Sequence, residues 1–376
     1  VAAEGRKAHS GLSGHDGLSG PDQRQGLKGL LQASWYRPGI LTFLLLPVSL
    51  LYRLIVRLRY WLYRLGVLKS QKIDCCVLVV GNVIVGGAGK TPTVIAIVQH
   101  LQSLGLRVGV ISRGYGRKQD GVHEISATSL ATEAGDEPLL IARATGAPVF
   151  VGRDRVEAAR ALLDTFPTTA IIVCDDGLQH YRLWRDVEIC VFDDRGAGNG
   201  SLLPSGPLRE TWPRTLLAQA GQSAANSLLL HTGRHPAFEG FTARRQLATS
   251  ARRADGTEIA LSEITKLTNQ GPLCAVAGIA QPAQFFEMLR ENGLELAACL
   301  PLPDHCDYSQ IALQEWSGYQ LICTEKDAVK LWEYVPDALA VALIQTLEPA
   351  FYQQLDQLLQ QLPNSPLSSR HGHQTA

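Results

Sequence analysis

Apolar positions fall into distinct regimes along the chain. Residues 40–51 form an almost unbroken apolar run interrupted by Pro47, which passes into aromatic and aliphatic residues interleaved with basic ones up to residue 72. From residue 73 onward, short apolar runs alternate with stretches of helical spacing. Residues 77–80 read as a strand leading into a glycine-rich loop, 93–104 as a helix, and 107–111, 171–174 and 189–192 as further strands. Short β segments with turns are expected over 226–265, including Ala254-Asp255-Gly256. A second series follows, with a strand at 273–277, a helix at 282–292 and strands at 295–300, 321–324 and 339–343. Strand, helix, strand in this rhythm predicts an α/β fold: a parallel sheet with helices on both faces, then a smaller C-terminal α/β domain. Sites in such sheets lie beyond the carboxyl ends of the strands. The polar motifs described below follow strands in this way.

Composition narrows the classes. Lys+Arg and Asp+Glu balance at 35 each, so nothing in the overall charge points to nucleic acid, and no nucleic-acid partner is expected. The eight cysteines contain no CxxC pair and mostly sit in apolar runs, which reads as reduced core thiols in a cytoplasmic protein with no zinc site. Residues 1–26 are polar, rich in Gly and Ser, start with Val, and lack the apolar core of a secretory signal. The expected organisation is a disordered extension over 1–33, a membrane-associated amphipathic helix over 34–72, a core over 73–265, a smaller domain over 266–362 and a flexible tail over 363–376.

The 34–72 segment carries charge of one sign. Arg37, Arg53, Arg57, Arg59, Arg64, Lys69 and Lys72 lie there with no Asp or Glu. The apolar run falls short of the roughly 20 residues that span a bilayer. Arg53, Arg57 and Arg64 fall near one face at helical spacing, and Tyr60, Trp61 and Tyr63 suit the headgroup level. An interfacial anchor on an anionic leaflet accounts for this pattern. An amphipathic helix packed on its own protein is the other reading.

The strongest local chemistry is Gly86-Gly87-Ala88-Gly89-Lys90-Thr91, placed between a strand and a helix, with Pro92 in the first turn. Three glycines let backbone N–H groups close around phosphate oxygens, and the helix N-terminus adds its dipole. Lys90 then reaches the β/γ-phosphates and the Thr91 hydroxyl holds Mg²⁺. The nucleotide-binding stretch runs from Ile84 and Val85 through Thr91. Ile84 departs from the strict GxxxxGK[ST] pattern, which has glycine there. This motif makes the predicted sheet P-loop NTPase-like.

Asp175-Asp176 ends a strand, as a metal-binding Walker B acid does, although paired aspartates also begin ordinary turns. Gly135-Asp136-Glu137-Pro138 precedes a helical pattern, so Asp136 is either an N-cap or a carboxylate placed to activate a hydroxyl. His305, in Pro303-Asp304-His305, is a loop histidine whose spacing alone leaves it structural or catalytic. No NKxD motif stands ready to read guanine; Thr324-Glu325-Lys326-Asp327 has its lysine displaced. ATP is therefore the expected nucleotide. A P-loop ATPase driving a partner protein, or a nucleotide-binding regulator, remains open at this point.

Seven segments in order resemble the tetraacyldisaccharide 4'-kinase family: VGNVIVGGAGKTP (80–92), SRGYGR (112–117), GDEPLLIA (135–142), DDGLQHYRLWRD (175–186), GNGSLLPSGPLRE (198–210), PDH (303–305) and TEKDAVK (324–330). The resemblance runs from about Ser34 to Asp327. It implies transfer of the ATP γ-phosphate to the 4'-hydroxyl of a lipid A precursor, tetraacyldisaccharide 1-phosphate. Such an enzyme sits on the cytoplasmic face of the bacterial inner membrane, and a monomer is expected. The resemblance also implies residue roles. Lys90 and Thr91 match the phosphate-loop Lys and the Mg²⁺-binding Thr, Asp136 the acid that takes the hydroxyl proton, and His305 its dyad partner. Asp175 and Asp176 match the Walker B pair, and Arg155, Arg209 and Glu210 match charged active-site positions. Glu210 is taken with Thr91, Asp175 and Asp176 as a metal position, and Arg155 and Arg209 as phosphate-binding.

Overall fold

Two helices precede the sheet, and both depart from simple expectation. The computed structural model describes residues 23–37, 39–117, 120–126, 129–214, 226–264, 271–304, 306, 308, 316 and 318–367. Helix α1 (Gln23–Tyr36) starts inside the stretch expected to be disordered, which corrects that expectation from Gln23 onward. Its anchor is Trp35, buried, with the indole N–H donating to the Pro204 carbonyl at 2.9 Å. Helix α2 (Ile40–Arg64) runs without a break through Pro47 and joins the apolar run to the basic stretch. At 25 residues it is long and apolar enough to cross a membrane, where the apolar run alone was too short.

The rest of the chain alternates as its periodicity predicts. The elements are β1 (Cys76–Gly81), α3 (Lys90–Ser103), β2 (Val108–Ser112), β3 (His123–Ile125), α4 (Ala131–Ala134), α5 (Asp136–Thr145), β4 (Val149–Val151), α6 (Arg155–Thr165), β5 (Ile171–Asp175) and β6 (Val187–Phe192). There follow β7 (Ser227–His231), β8 (Phe241–Arg252), β9 (Glu258–Ala260), α7 (Leu261–Ile264), β10 (Leu273–Ala277), α8 (Pro282–Glu291), β11 (Ala298–Pro301), β12 (Gln320–Thr324), α9 (Glu325–Leu331), β13 (Leu339–Leu347) and α10 (Pro349–Gln361). The strands lie in the order β11-β10-β12-β13-β8-β7-β6-β1-β5-β2-β4-β3, with β9 added to β8. Strands β1, β2 and β5 are buried along their whole length, as near-continuous Val/Ile/Leu runs in a sheet covered on both faces should be.

The region expected to hold short β segments contains two of them, β7 and β9, but between them runs a twelve-residue strand, β8, which organises the molecule. Its first residues pair parallel with the end of β7, Leu230 opposite Phe241 and His231 opposite Thr242. The strand therefore continues past the carboxyl edge of the N-terminal half-sheet. Beyond that edge β8 pairs antiparallel with β13, from Ala243 opposite Leu347 to Arg252 opposite Ala340. Strands β12 and β10 are parallel to β13 and to each other. The carboxyl ends of the second half-sheet thus point back at those of the first. Two edges of the kind that carry ligand sites face each other across one cleft.

Candidate active site

The cleft holds a cavity of about 750 Å³, lined from one side by the loop after β1 and the end of β5, and from the other by residues after β10 and β12. The phosphate loop is shaped by its glycines. Gly86 and Gly89 have φ of 97° and 79°, a region costly for any residue with a Cβ. Asn82 ties the loop together: its amide donates to the Gly86 carbonyl at 3.1 Å and its oxygen accepts from Lys90 Nζ at 3.3 Å. Arg195 Nη2 donates to the Gly87 carbonyl at 2.8 Å from outside. Val85, Gly86, Gly87, Gly89, Lys90 and Thr91 line the cavity. The Ile84 and Ala88 side chains are fully buried in the core instead, so whatever they offer a nucleotide is backbone.

The acids beyond β5 differ sharply in environment. Asp175 is buried; Oδ2 accepts from Ser112 Oγ at 3.0 Å, while Oδ1 is buried with no hydrogen-bond partner. Burial, then the nearby Glu137 and Asp176 carboxylates, push its carboxyl up to about 7. Asp176 is also pushed up by burial, but Lys90 and Arg209 outweigh that and hold it below the ordinary value. Arg209 Nη1 donates to Asp176 Oδ1 at 3.1 Å, and Lys90 Nζ lies 3.7 Å from the same oxygen. Asp176 has φ of 46°, unusual for any residue but glycine and best tolerated by Asp or Asn. Arg155 holds that backbone from behind, donating to the Asp176 carbonyl at 3.4 Å and the Arg153 carbonyl at 3.0 Å. Arg155 is buried and does not line the cavity, and its bonds here support the Asp176 turn.

Glu210 is likewise engaged. Oε1 accepts from Gln179 Nε2 at 2.8 Å, Oε2 accepts from the Tyr181 hydroxyl at 2.7 Å, and Arg214 Nε lies 3.3 Å from Oε2. With both oxygens occupied, Glu210 reads as a brace for the wall rather than a metal ligand in this arrangement. Among the described residues no group of three His, Cys, Asp or Glu side chains converges on one point. That suits Mg²⁺, which keeps several waters and takes one or two carboxylates together with substrate phosphates. The orphaned Asp175 Oδ1 and the Thr91 hydroxyl form a donor set of that kind.

Asp136 opens α5, but its cap is Gly135, at φ of 83°. The N-cap reading of Asp136 is therefore wrong: Gly135 occupies that position, at a positive φ that only glycine readily adopts. The Asp136 carboxylate instead meets Lys330 of α9, 2.8 Å from Nζ to Oδ2, and Lys330 also donates to the Cys306 carbonyl at 3.4 Å. Lys326, one turn earlier on α9, lies 2.9 Å from Asp304 and 3.7 Å from Glu137. Glu137 lines the cavity; Asp136 stands just behind it, buried. His305 lies outside the described residues. Sequence reasoning gave no role to Lys330, although Lys326 and Lys330 at i, i+4 share a helix face, and none to Asn82, Ser112 or Arg195.

Helix α2 completes the wall. Its polar side docks on the protein: Ser205 N donates to Ser49 Oγ at 2.8 Å, the Tyr52 hydroxyl donates to the Arg209 carbonyl at 2.9 Å, and Arg59 donates to the Gln179 carbonyl at 3.1 Å. Tyr52, Val56 and Arg59 line the cavity. The opposite side, with Phe43, Leu44, Leu51, Leu54, Ile55 and Leu58, is exposed. An exposed apolar face of this size on a helix with basic flanks is consistent with membrane association.

A family model described as tetraacyldisaccharide-1-P 4'-kinase matches residues 41–363. The chain belongs to that family. Tetraacyldisaccharide 4'-kinase from Polaromonas naphthalenivorans is 53% identical over 93% of this chain and 100% of its own length. The enzyme of the same name from Delftia acidovorans is 44% identical over 88% of this chain and 95% of its own. Among solved structures, LpxK from Aquifex aeolicus in complex with ATP superposes with a TM-score of 0.70 at 30% identity, covering 85% of this chain and 99% of that one. This solved member of the family thus shares the fold.

Proposed function

We propose that this protein transfers the γ-phosphate of ATP to the 4'-hydroxyl of tetraacyldisaccharide 1-phosphate, forming the 1,4'-bisphosphate of lipid A biosynthesis. It does so as a monomer on the cytoplasmic face of the inner membrane. The observation that carries the reading is the composition of one cavity. Its walls combine a phosphate loop with Lys90 and Thr91, the Asp175–Asp176 pair, and Tyr52 and Val56 of a helix whose other face is apolar and exposed. A site for a soluble acceptor has no need of that helix; an acceptor with four acyl chains does.

In the reaction the 4'-hydroxyl oxygen forms a bond to the γ-phosphorus. The bond from that phosphorus to the β–γ bridging oxygen breaks, and ADP leaves with the electron pair. The hydroxyl proton goes to the Asp136 carboxylate, with His305 as its partner. An alcohol is a poor nucleophile at neutral pH, so a base within reach of its proton lowers the barrier. Lys90 follows the charge that develops on the γ-phosphoryl oxygens, and Arg209 fixes Asp176 beside it. Thr91 and Asp175 would hold Mg²⁺ together with the phosphates, and the ion would supply the remaining neutralisation. Lys330 holds Asp136 from the second half-sheet, so the base is oriented only when both edges of the cleft are in place.

The test is transfer of labelled γ-phosphate from ATP to the disaccharide 1-phosphate lipid, with the position of phosphate in the product determined. Label at the 4'-oxygen, dependent on the lipid, is expected. Release of inorganic phosphate at the same rate without lipid would replace the kinase by an ATPase.

A further inference from the structure

Arg245 is set apart by its partners. It sits on β8 just past the carboxyl edge of the first half-sheet, opposite Gln345 of β13, and it lines the cavity. Its guanidinium packs on the phosphate loop so closely that a Cβ added to Gly89 would fall 1.9 Å from Nη2. That nitrogen donates to the Thr232 hydroxyl at 2.5 Å, and Thr232 in turn donates to the Ala88 carbonyl at 2.8 Å. Nε donates to Gln345 Oε1 at 3.3 Å, while the Gln345 amide donates to Thr93 of α3 at 2.5 Å. The arginine is thus fixed against the loop and the first turn of α3 through neutral groups alone.

The other arginines around the cleft are paired differently. Arg209 has Asp176, Arg195 has Asp193, and Arg214 has Glu188 and Glu210. Among the described residues Arg245 makes no ion pair, and burial pushes its pKa down, with Asp193 and Asp194 opposing that only at a distance. A guanidinium has five N–H donors, and the two bonds to Thr232 and Gln345 leave the others without partners among the described residues. A cation withdrawn from water without a counter-charge is costly, so a fold that keeps one beside a ligand cavity has a ligand to neutralise it. The phosphate loop determines what that ligand carries there.

We infer that Arg245 is a nucleotide-binding residue whose free N–H groups meet the α- and β-phosphates of ATP, while its bonds to Thr232 and Gln345 pin the phosphate loop. The planar fork matches phosphate oxygens two at a time. This inference rests on the ATP-dependent reading above, and the test separates the two.

Dissociation constants for adenosine, ADP and ATP are measured by calorimetry, without lipid, on the full chain and on Arg245→Gln and Arg245→Lys. Arg245→Gln keeps a donor for Thr232 but removes the charge. ADP and ATP should bind it about 10–100-fold more weakly, the loss expected for a charged hydrogen-bond pair, with adenosine unchanged. Arg245→Lys keeps the charge and loses the fork, and should fall between. Equal binding of ADP to the parent and Arg245→Gln overturns the inference, and so does an equal loss for adenosine, which would make Arg245 a support of the loop. If Arg245→Gln does not fold, Arg245→Lys decides alone: ADP weakened at least threefold with adenosine unchanged supports the role, and unchanged ADP removes it. Failure of the parent chain to bind ATP at all would instead sink the ATP-dependent reading.

Discussion

The raised pKa of Asp175 predicts that this protein sacrifices stability at the site, and the loss has a definite pH dependence. In the folded chain the carboxyl titrates near 7 against 3.8 for the unfolded group. Between those values the folded state keeps a proton that the unfolded state has released, so stability falls as pH rises through that window. A difference of about three pKa units corresponds to roughly 4 kcal/mol at full development above pH 7, an upper bound because surrounding dipoles relax. Asp175→Asn keeps the shape, and its amide oxygen can still accept from Ser112, but it removes the titration. The variant should therefore melt higher than the parent at pH 8, by on the order of 5 °C, with the difference shrinking toward zero near pH 4. It should also be inactive, since it removes the proposed metal ligand. Thermal unfolding followed by circular dichroism from pH 5 to 8.5, without nucleotide or Mg²⁺, measures the effect. Parallel melting curves for the two proteins across that range, or a variant less stable at pH 8, would refute the assignment of a buried, protonatable acid.

Three further outcomes follow from the same geometry. Lys90→Ala should reduce lipid phosphorylation by about 10³-fold or more, because no other cation of the loop can follow the γ-phosphate; activity within tenfold of the parent would place catalysis elsewhere. Asp136→Asn should cut kcat by roughly 10²–10⁴-fold with ATP affinity unchanged, and since Gly135 holds the cap, melting within a few degrees of the parent is expected; a normal kcat removes Asp136 as base. Arg53→Glu with Arg57→Glu on α2 should weaken binding to anionic vesicles about 10–100-fold at low salt, and sedimentation that ignores both salt and vesicle charge would point to plain hydrophobic insertion.

What was legible in the sequence was local. Gly86 to Thr91 announced themselves because closing a loop on phosphate needs glycine, lysine and a hydroxyl within one turn of a helix start. Asp175 and Asp176 stood out because a strand ended on them, and α2 because seven cations and no acid lie beside an apolar run. The resemblance decided between the two readings of Asp136, cap or base, and supplied the order of motifs. Contacts that join distant stretches were invisible. Asp136 and Lys330 are 194 positions apart, and Arg245 and Gln345 are 100 apart. Nothing in the periodicity of 226–265 says that one strand there will outrun its neighbour and carry a second half-sheet back over the first. Trp35 was lost for the same reason: its partner is the carbonyl of Pro204, across 169 residues.

The charges on the cleft wall show how a site can be built for an ionic ligand. Consider the charged side chains that line the cavity and are at least partly withdrawn from solvent. Lys90 lies near Asp176, Asp176 meets Arg209, Glu137 meets Lys326, Glu210 meets Arg214, and Glu325 meets Arg252. Two have no ion-pair partner among the described residues: Asp175, an acid pushed toward neutrality, and Arg245, a cation held by neutral groups. In the strand order they flank β1, which leads into the phosphate loop, one at the end of β5 and the other on β8. A magnesium nucleotide carries one partner for each, a cation for the acid and phosphates for the arginine. Binding then completes both charges at once, which neither free Mg²⁺ nor a free nucleotide can do. The stability withheld by these two unpaired charges becomes affinity for the complete complex.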